Sequence, residues 1–216
     1  MVDEVTEQSN IPTWTPEKSI LLLVEGEDDK VFFEAFRDHL SLQDIQVEQL
    51  GGKTNWRRKV KLIKDREDFL KNVISLGLVR DADTSPSDAF KSVVDALREA
   101  ELPLPSKSLE SVGSNPKVTV LILPDENEEG ELKDLYLKSV EKDPAMPCVN
   151  AYFECLEQTE LSLPSKLCKP KVQAFLASRQ KEVIGIRRAA KVGYVPWEDN
   201  AFQKVKVFLK QISELY

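Results

Sequence analysis

The sequence predicts an α/β fold, an open and mostly parallel four-stranded sheet with helices on both faces and a helical C-terminal extension. Three observations predict it. Four short apolar runs recur up to Leu123, each of strand length; each is followed by apolar residues at helical spacing; and beyond Pro144 only the helical spacing continues. Residues 1–18 read as an N-terminal tail, 19–143 as the α/β core, and 144–216 as the helical extension packed on it.

Ser19–Val24 is a continuous Leu-rich run bounded by Glu-Gly, which suits a buried parallel strand. Asp28–Leu40 follows with helical spacing. Ile45–Leu50 alternates and stops at Gly51-Gly52, a second strand and turn. Trp56–Asn72 carries Trp56, Val60, Ile63 and Leu70 as one helical stripe, and Val73–Arg80 reads as the third strand. Ser85-Pro86-Ser87-Asp88 supplies an N-cap, a proline at the first helical position and an acid three residues after the cap. Ala89, Phe90, Val93, Val94, Leu97 and Ala100 then share a face. Lys117–Leu123 is the fourth strand by β-branched content, with a helix over Gly130–Val140. The remaining segments, Val149–Gln158, Lys169–Lys181 and Ala201–Leu215, are helical; in the last, Ala201, Val205, Phe208, Ile212 and Leu215 align.

Composition narrows the function. Hydrophobic residues at 41% are enough for a core, and a net charge of −7 predicts a soluble chain that does not coat nucleic acid or anionic membrane by bulk charge. No apolar run approaches the roughly 20 residues of a membrane span, and the acidic start MVDEVTEQSN is neither signal nor transit peptide. Three cysteines without a CxxC pair and a single histidine argue against a zinc site or disulfide framework, so a reduced, cytoplasmic protein is expected. His39, near the end of the first helix beside Phe32, Phe36 and Leu40, reads as a packing or capping residue.

In open parallel sheets the functional residues stand at the carboxyl ends of the strands. There the sequence places Glu25-Gly26, then Asp81-Ala82-Asp83, then Asp125-Glu126. Taken singly, each is an ordinary solvated loop or a helix start favoured by the dipole, and Asp28 and Asp29 read as the latter. Together they deliver carboxylates to one edge, where mutual repulsion calls for a cation or a shared proton. Hard oxygen ligands of this kind suit Mg²⁺ or Mn²⁺. An Asp-x-Asp leaving a strand is expected to project both side chains to one side, around small Ala82. The metal candidates are therefore Glu25, Asp81, Asp83 and Asp125, with Gly26 leaving room at the turn.

LLLVEGEDDKVFFEAF and VRDADTS resemble the Toprim domain of topoisomerases, primases and OLD-type nucleases, and most closely the stand-alone bacterial family DUF3226. The Toprim Glu-Gly after the first strand matches Glu25-Gly26, and its Asp-x-Asp after the third strand matches Asp81 and Asp83. LPDENEEGELKDLYL resembles the family's Gly-x-Leu-x-Asp-Leu helix start through Gly130, Leu132, Asp134 and Leu135, with Lys133 where an acid is expected. The resemblance covers about residues 19–215. It implies a Rossmann-like Toprim fold, Glu25 as a general acid/base at a scissile phosphodiester, and Asp81 and Asp83 as holders of Mg²⁺.

A phosphate backbone needs local positive charge. Lys53–Lys71 holds eight basic residues against three acidic, and Lys166–Lys191 eight against Glu182 alone. Lys53, Arg57, Arg58, Arg187 and Arg188 are the candidate nucleic-acid contacts, against the alternative of ordinary solvated helix faces. Gly51-Gly52-Lys53-Thr54 lacks the GxxxxGK[ST] frame, so no Walker site is read there. Three functions follow. The first is a Mg²⁺- or Mn²⁺-dependent phosphodiesterase or nuclease centred on Glu25, Asp81 and Asp83. The second is a non-catalytic module, or one dependent on an ATPase in trans (OLD-type proteins fuse the two) or on a second copy of the chain. The third is an acidic edge that is electrostatic decoration.

Overall fold

The computed structural model describes residues 14–54 and 56–214. Residues 1–13 of the expected tail, and Leu215 of the expected last helical face, lie outside them. The sheet has five strands: β1 (Ile20–Val24), β2 (Ile45–Gln49), β3 (Ser75–Asp81), β4 (Ser111–Val112) and β5 (Lys117–Leu123). They lie in the order β2-β1-β3-β5-β4. The four strands read from the sequence pair in parallel, with Ile20 opposite both Ile45 and Ser75, and Ser75 opposite Lys117. To them the structure adds β4, antiparallel to β5. With two residues and a Ser111–Thr119 hydroxyl contact at 2.7 Å, β4 has no apolar period that a sequence could announce.

Nine α-helices are described: α1 (Glu27–His39), α2 (Trp56–Lys64), α3 (Glu67–Asn72), α4 (Pro86–Glu99), α5 (Leu132–Ser139), α6 (Met146–Glu157), α7 (Cys168–Ala177), α8 (Ile186–Val192) and α9 (Gln203–Ser213). Ser85 caps α4 as expected, its Oγ accepting from the Asp88 N–H at 3.2 Å. The helix expected over Trp56–Asn72 is broken at Arg66, whose backbone is extended. Arg66 forks onto Asp68 and donates to the Trp14 carbonyl, which brings Phe69, not Leu70, into the core. The segment α8 lies between Gly185 and Gly193, both at positive φ, and is too short to show a helical period. His39 packs as predicted, its ring stacked on Trp197 and its Nε2 2.7 Å from Glu198 Oε1.

Strand alternation divides the core. Ile20, Leu22, Val24, Val79 and Leu121 face one layer, built from α1, α5 and the C-terminal helices. Leu21, Leu23, Leu76, Leu78 and Val120 face the other, built from α2, α3 and α4. Residues 144–214 thus complete the first core layer. Phe208 and Ile212 of α9 lie directly over Gly77, where a Cβ would stand 3.0–3.1 Å from their side chains and from Leu22. Among the described residues no helix is long and apolar enough to cross a membrane.

The chain leaves β1 toward β2 on one side and later returns to β3 on the other. The crevice between β1 and β3 is therefore the topological switch point, where α/β sheets place their ligands.

Candidate functional site

Glu25 and Asp81 stand at that switch point. The Glu25 carbonyl accepts the Gly52 N–H at 2.8 Å, so the Gly51-Gly52 turn, at φ +71 and +98, is sewn to the end of β1. The turn carries Lys53 across to Asp83, where its ammonium bonds both carboxylate oxygens. Lys166 reaches the same carboxylate at 3.2 Å from the C-terminal region.

Asp83 sits at φ +53, in the left-handed region that Asp tolerates better than most residues. Its backbone pairs with Gly130 in both directions at 2.8 Å. Gly130 is at φ +133, and a Cβ there would lie 2.9 Å from Asp134 Oδ2. The third motif is thereby locked to the second, and α5 follows at once. The first amide of α5, Leu132 N–H, donates to Asp81 Oδ1 at 3.0 Å. Asp29 caps α1 through the Gly26 N–H at 2.9 Å.

The acids fall into two groups, because alternation places Glu25 on the face of Leu21 and Leu23, and Asp81 on that of Val79. Asp83 has left the strand, and with Asp81 and Ala82 it lines one pocket of about 330 Å³. Glu25 is only 9% exposed, and its Oε2 is buried without a hydrogen-bond partner. Burial lifts its pKa to about 7, against the pull of Lys53 and Arg80. Burial likewise lifts Asp29 to about 6 and, with the charges of Asp29 and Glu25, holds Asp81 well above the carboxylate range. Asp83 goes the other way: burial would raise it, but the two lysines outweigh that and hold it low.

The edge thus carries carboxyls with raised and with lowered pKa. Asp125 is held low against burial by Lys204, 2.5 Å away, which also binds Glu126 at 2.8 Å. Its electrostatic neighbours are Lys204 and Lys138, not Glu25 or Asp81. Among the described residues no three His, Cys, Asp or Glu side chains are gathered closely enough to share one metal ion as they stand.

The basic residues divide similarly. Lys53, Arg57 and Arg58 line a pocket of about 430 Å³ with Trp56 and Arg80. Arg57 is paired with Asp95 at 2.8 Å. Arg187 binds Asp28 at 3.1 Å, placing α8 beside the acidic start of α1, and Arg188 is exposed. The sequence reading missed Lys166 and Lys204 as carboxylate partners, since no local pattern ties residues 83 and 79 positions apart. It also passed over Arg80, although its place beside Asp81 on a strand assigns it to the opposite face.

A parallel sheet with acidic residues at its switch point and helices on both faces defines a Toprim-like α/β protein. The chain belongs to the family described as "Protein of unknown function (DUF3226)", whose model matches residues 19–214. Among solved structures it is similar to the C-terminal region of the Xanthomonas campestris pv. campestris OLD protein. Identity is 16% over 92% of this chain and 96% of that one, with a TM-score of 0.52. A second structure of that region shows 15% identity over 91% and 97%, with a TM-score of 0.48. No curated protein sequence matches the chain. The likeness at a TM-score of 0.52 shows the fold, a Toprim-like arrangement shared with that C-terminal region.

Proposed function

We propose that the protein is a Mg²⁺- or Mn²⁺-dependent phosphodiesterase acting on nucleic acid. The observation that carries this reading is the Glu25 carboxyl, buried and unpartnered at the switch point with a pKa near 7, beside an ionised Asp83 and a cationic pocket. A carboxyl poised near neutrality suits general acid/base work.

The donor set fits a hard divalent ion. Glu25, Asp81 and Asp83 offer carboxylate oxygens only, and a cation already sits on Asp83, the Lys53 ammonium. Loading with metal requires Lys53 to leave Asp83 and the two groups of acids to close together. When bound, the ion offsets charge on the phosphoryl oxygens and activates water. The chain's own residues do the rest. Glu25 holds a proton at its carboxyl and passes it to the leaving oxygen as that oxygen's bond to phosphorus breaks and the oxygen of water bonds to phosphorus. The proton that the water gives up passes to solvent, and the Glu25 carboxylate takes one back. Lys53, once released from Asp83, and Lys166 would offset the charge that develops on the leaving oxygen. Arg57, Arg58, Arg187 and Arg188 contact the strand without reading its sequence.

A second reading has one observation in its favour: the similar solved structure is the C-terminal region of a longer protein. On that reading the chain is a binding module, or acts only with a partner such as an ATPase in trans. The test incubates pure protein with plasmid, single-stranded DNA and RNA in Mg²⁺ or Mn²⁺, beside Glu25→Gln and Asp81→Asn. Metal-dependent cleavage lost in both variants is expected. Cleavage that survives both, or none with any substrate or metal, defeats catalysis by this site; activity gained only in a copurified complex transfers it to the second reading.

A further inference from the structure

On the face of the edge opposite Asp81, a guanidinium is held without an anion. Arg80 stacks over Trp56, its Cζ 5.1 Å from the ring centroid, and its Nε is buried with no hydrogen-bond partner. Leaving a buried charged donor unsatisfied is costly, so the fold must hold it there. The support is visible: Trp56 is 3% exposed, and its Nε1–H donates to the Gly52 carbonyl at 3.1 Å, the same glycine that is bonded to Glu25. The pocket in front of Arg80 is also lined by Lys53, Arg57 and Arg58, with Glu99 as its acid. Lys53 and Arg57 are engaged by Asp83 and Asp95. Among the described residues, Arg58 and Arg80 form no ion pair, although Arg80 is within electrostatic reach of the Glu25 carboxyl. A second pocket of about 330 Å³, which contains Asp81 and Asp83, shares Arg80 and Ser92 with the first.

We propose that the pocket of Arg80, Trp56 and Arg58 is an anion subsite that takes a phosphate of the substrate strand next to the one at the acidic edge. The planar guanidinium, fixed on the indole, presents its donors in the fork that fits two phosphate oxygens. The flat Trp56 wall and the pocket volume leave room for the attached sugar. The inference deepens the phosphodiesterase reading: the substrate carries a phosphate on the α2–α4 side of the scissile bond, and a single isolated phosphodiester is a poor one.

The experiment measures fluorescence anisotropy of a 3′-labelled single-stranded hexanucleotide, with and without a 5′-phosphate, in EDTA, with inorganic phosphate as competitor. Arg80→Gln and exposed Arg58→Ala are compared with wild type and with Lys142→Ala, a surface-charge control. The expected result is a roughly tenfold or greater loss of affinity in each Arg variant and a smaller salt dependence, with Lys142→Ala unchanged. Loss seen with both oligonucleotides assigns the subsite to an internal phosphate. Loss seen only with the 5′-phosphorylated one, together with displacement by inorganic phosphate, assigns it to a terminal phosphate. Wild-type affinity in folded Arg58→Ala and Arg80→Gln, or no binding by wild type, overturns the subsite. The two proposals separate: Arg80-dependent binding without cleavage in Mn²⁺ leaves the subsite and removes the nuclease, whereas cleavage with unchanged KM in Arg80→Gln does the reverse.

Discussion

Replacing Glu25 by Gln should make the protein more stable at pH 8 and leave it unchanged at pH 4. The carboxyl is 9% exposed, and one oxygen lacks a partner. Burial lifts its pKa from the ordinary 4.5 to about 7, which at about 1.4 kcal/mol per pH unit amounts to about 3 kcal/mol. The sign follows from proton binding. Between pH 4.5 and about 7 the folded state holds the proton more tightly than the unfolded chain, so stability falls as pH rises through this window and stays lower above it. Below it the carboxyl is neutral in both states and resembles the amide. For a chain of this size, about 3 kcal/mol corresponds to roughly 6–12 °C in Tm. Urea unfolding of both proteins from pH 4 to 8, without divalent metal, measures the gap directly. A gap that does not grow with pH, or a variant less stable than wild type at pH 8, refutes the argument that the site stores unfavourable charge.

Three further outcomes are expected. Gly77→Ala should cost about 1–3 kcal/mol by overpacking, because its Cβ meets Leu22, Phe208 and Ile212 at 3.0–3.1 Å; the urea midpoint reads it. Gly130→Ala should lose about 1–3 kcal/mol through its φ of +133 and the clash with Asp134, and hydrogen exchange at the Asp83 and Gly130 amides should accelerate more than at Leu22. Asp143 is held below its ordinary pKa by the fork from Arg179 at 2.9 and 3.0 Å; its stabilisation is present above pH 3.8 and lost as pH falls through the lowered value. Asp143→Asn should therefore cost about 1 kcal/mol at pH 7 and progressively less in acid, a trend that denaturation at pH 7 and pH 2.5 checks.

The sheet was legible because strands buried on both faces leave continuous apolar runs, as at Ile20–Val24 and Lys117–Leu123, and a parallel ladder demands the helices between them. Glu25, Asp81 and Asp83 were legible because a short motif follows each run. What stayed hidden depends on contacts far apart in sequence or on elements too short for a repeating apolar pattern. Lys166 finds Asp83 across 83 positions, β4 has two residues, and α8 has seven. The break before α3 was hidden for another reason: the stripe Trp56, Val60, Ile63 continues equally well to Leu70, and only the Arg66 fork decides for Phe69. The left-handed turn at Asp83 that grips Gly130 was hidden as well, since it pairs residues 47 positions apart.

A chain of net charge −7 can still gather cations locally. Strand alternation sends neighbours Arg80 and Asp81 to opposite faces, so the sheet edge itself sorts charge. Asp81 turns toward Asp29 and the start of α5, whereas Arg80 turns toward Trp56 and Arg58. At physiological salt, interactions fade over about 8 Å, so a phosphate in the Arg80 pocket responds to the cations lining it more than to the acidic surface elsewhere. The same edge lowers the stability of the fold through Glu25 and concentrates cations one residue from the carboxylates. A site assembled only to stabilise the sheet would have no use for either feature; one that binds a metal-neutralised polyanion needs both.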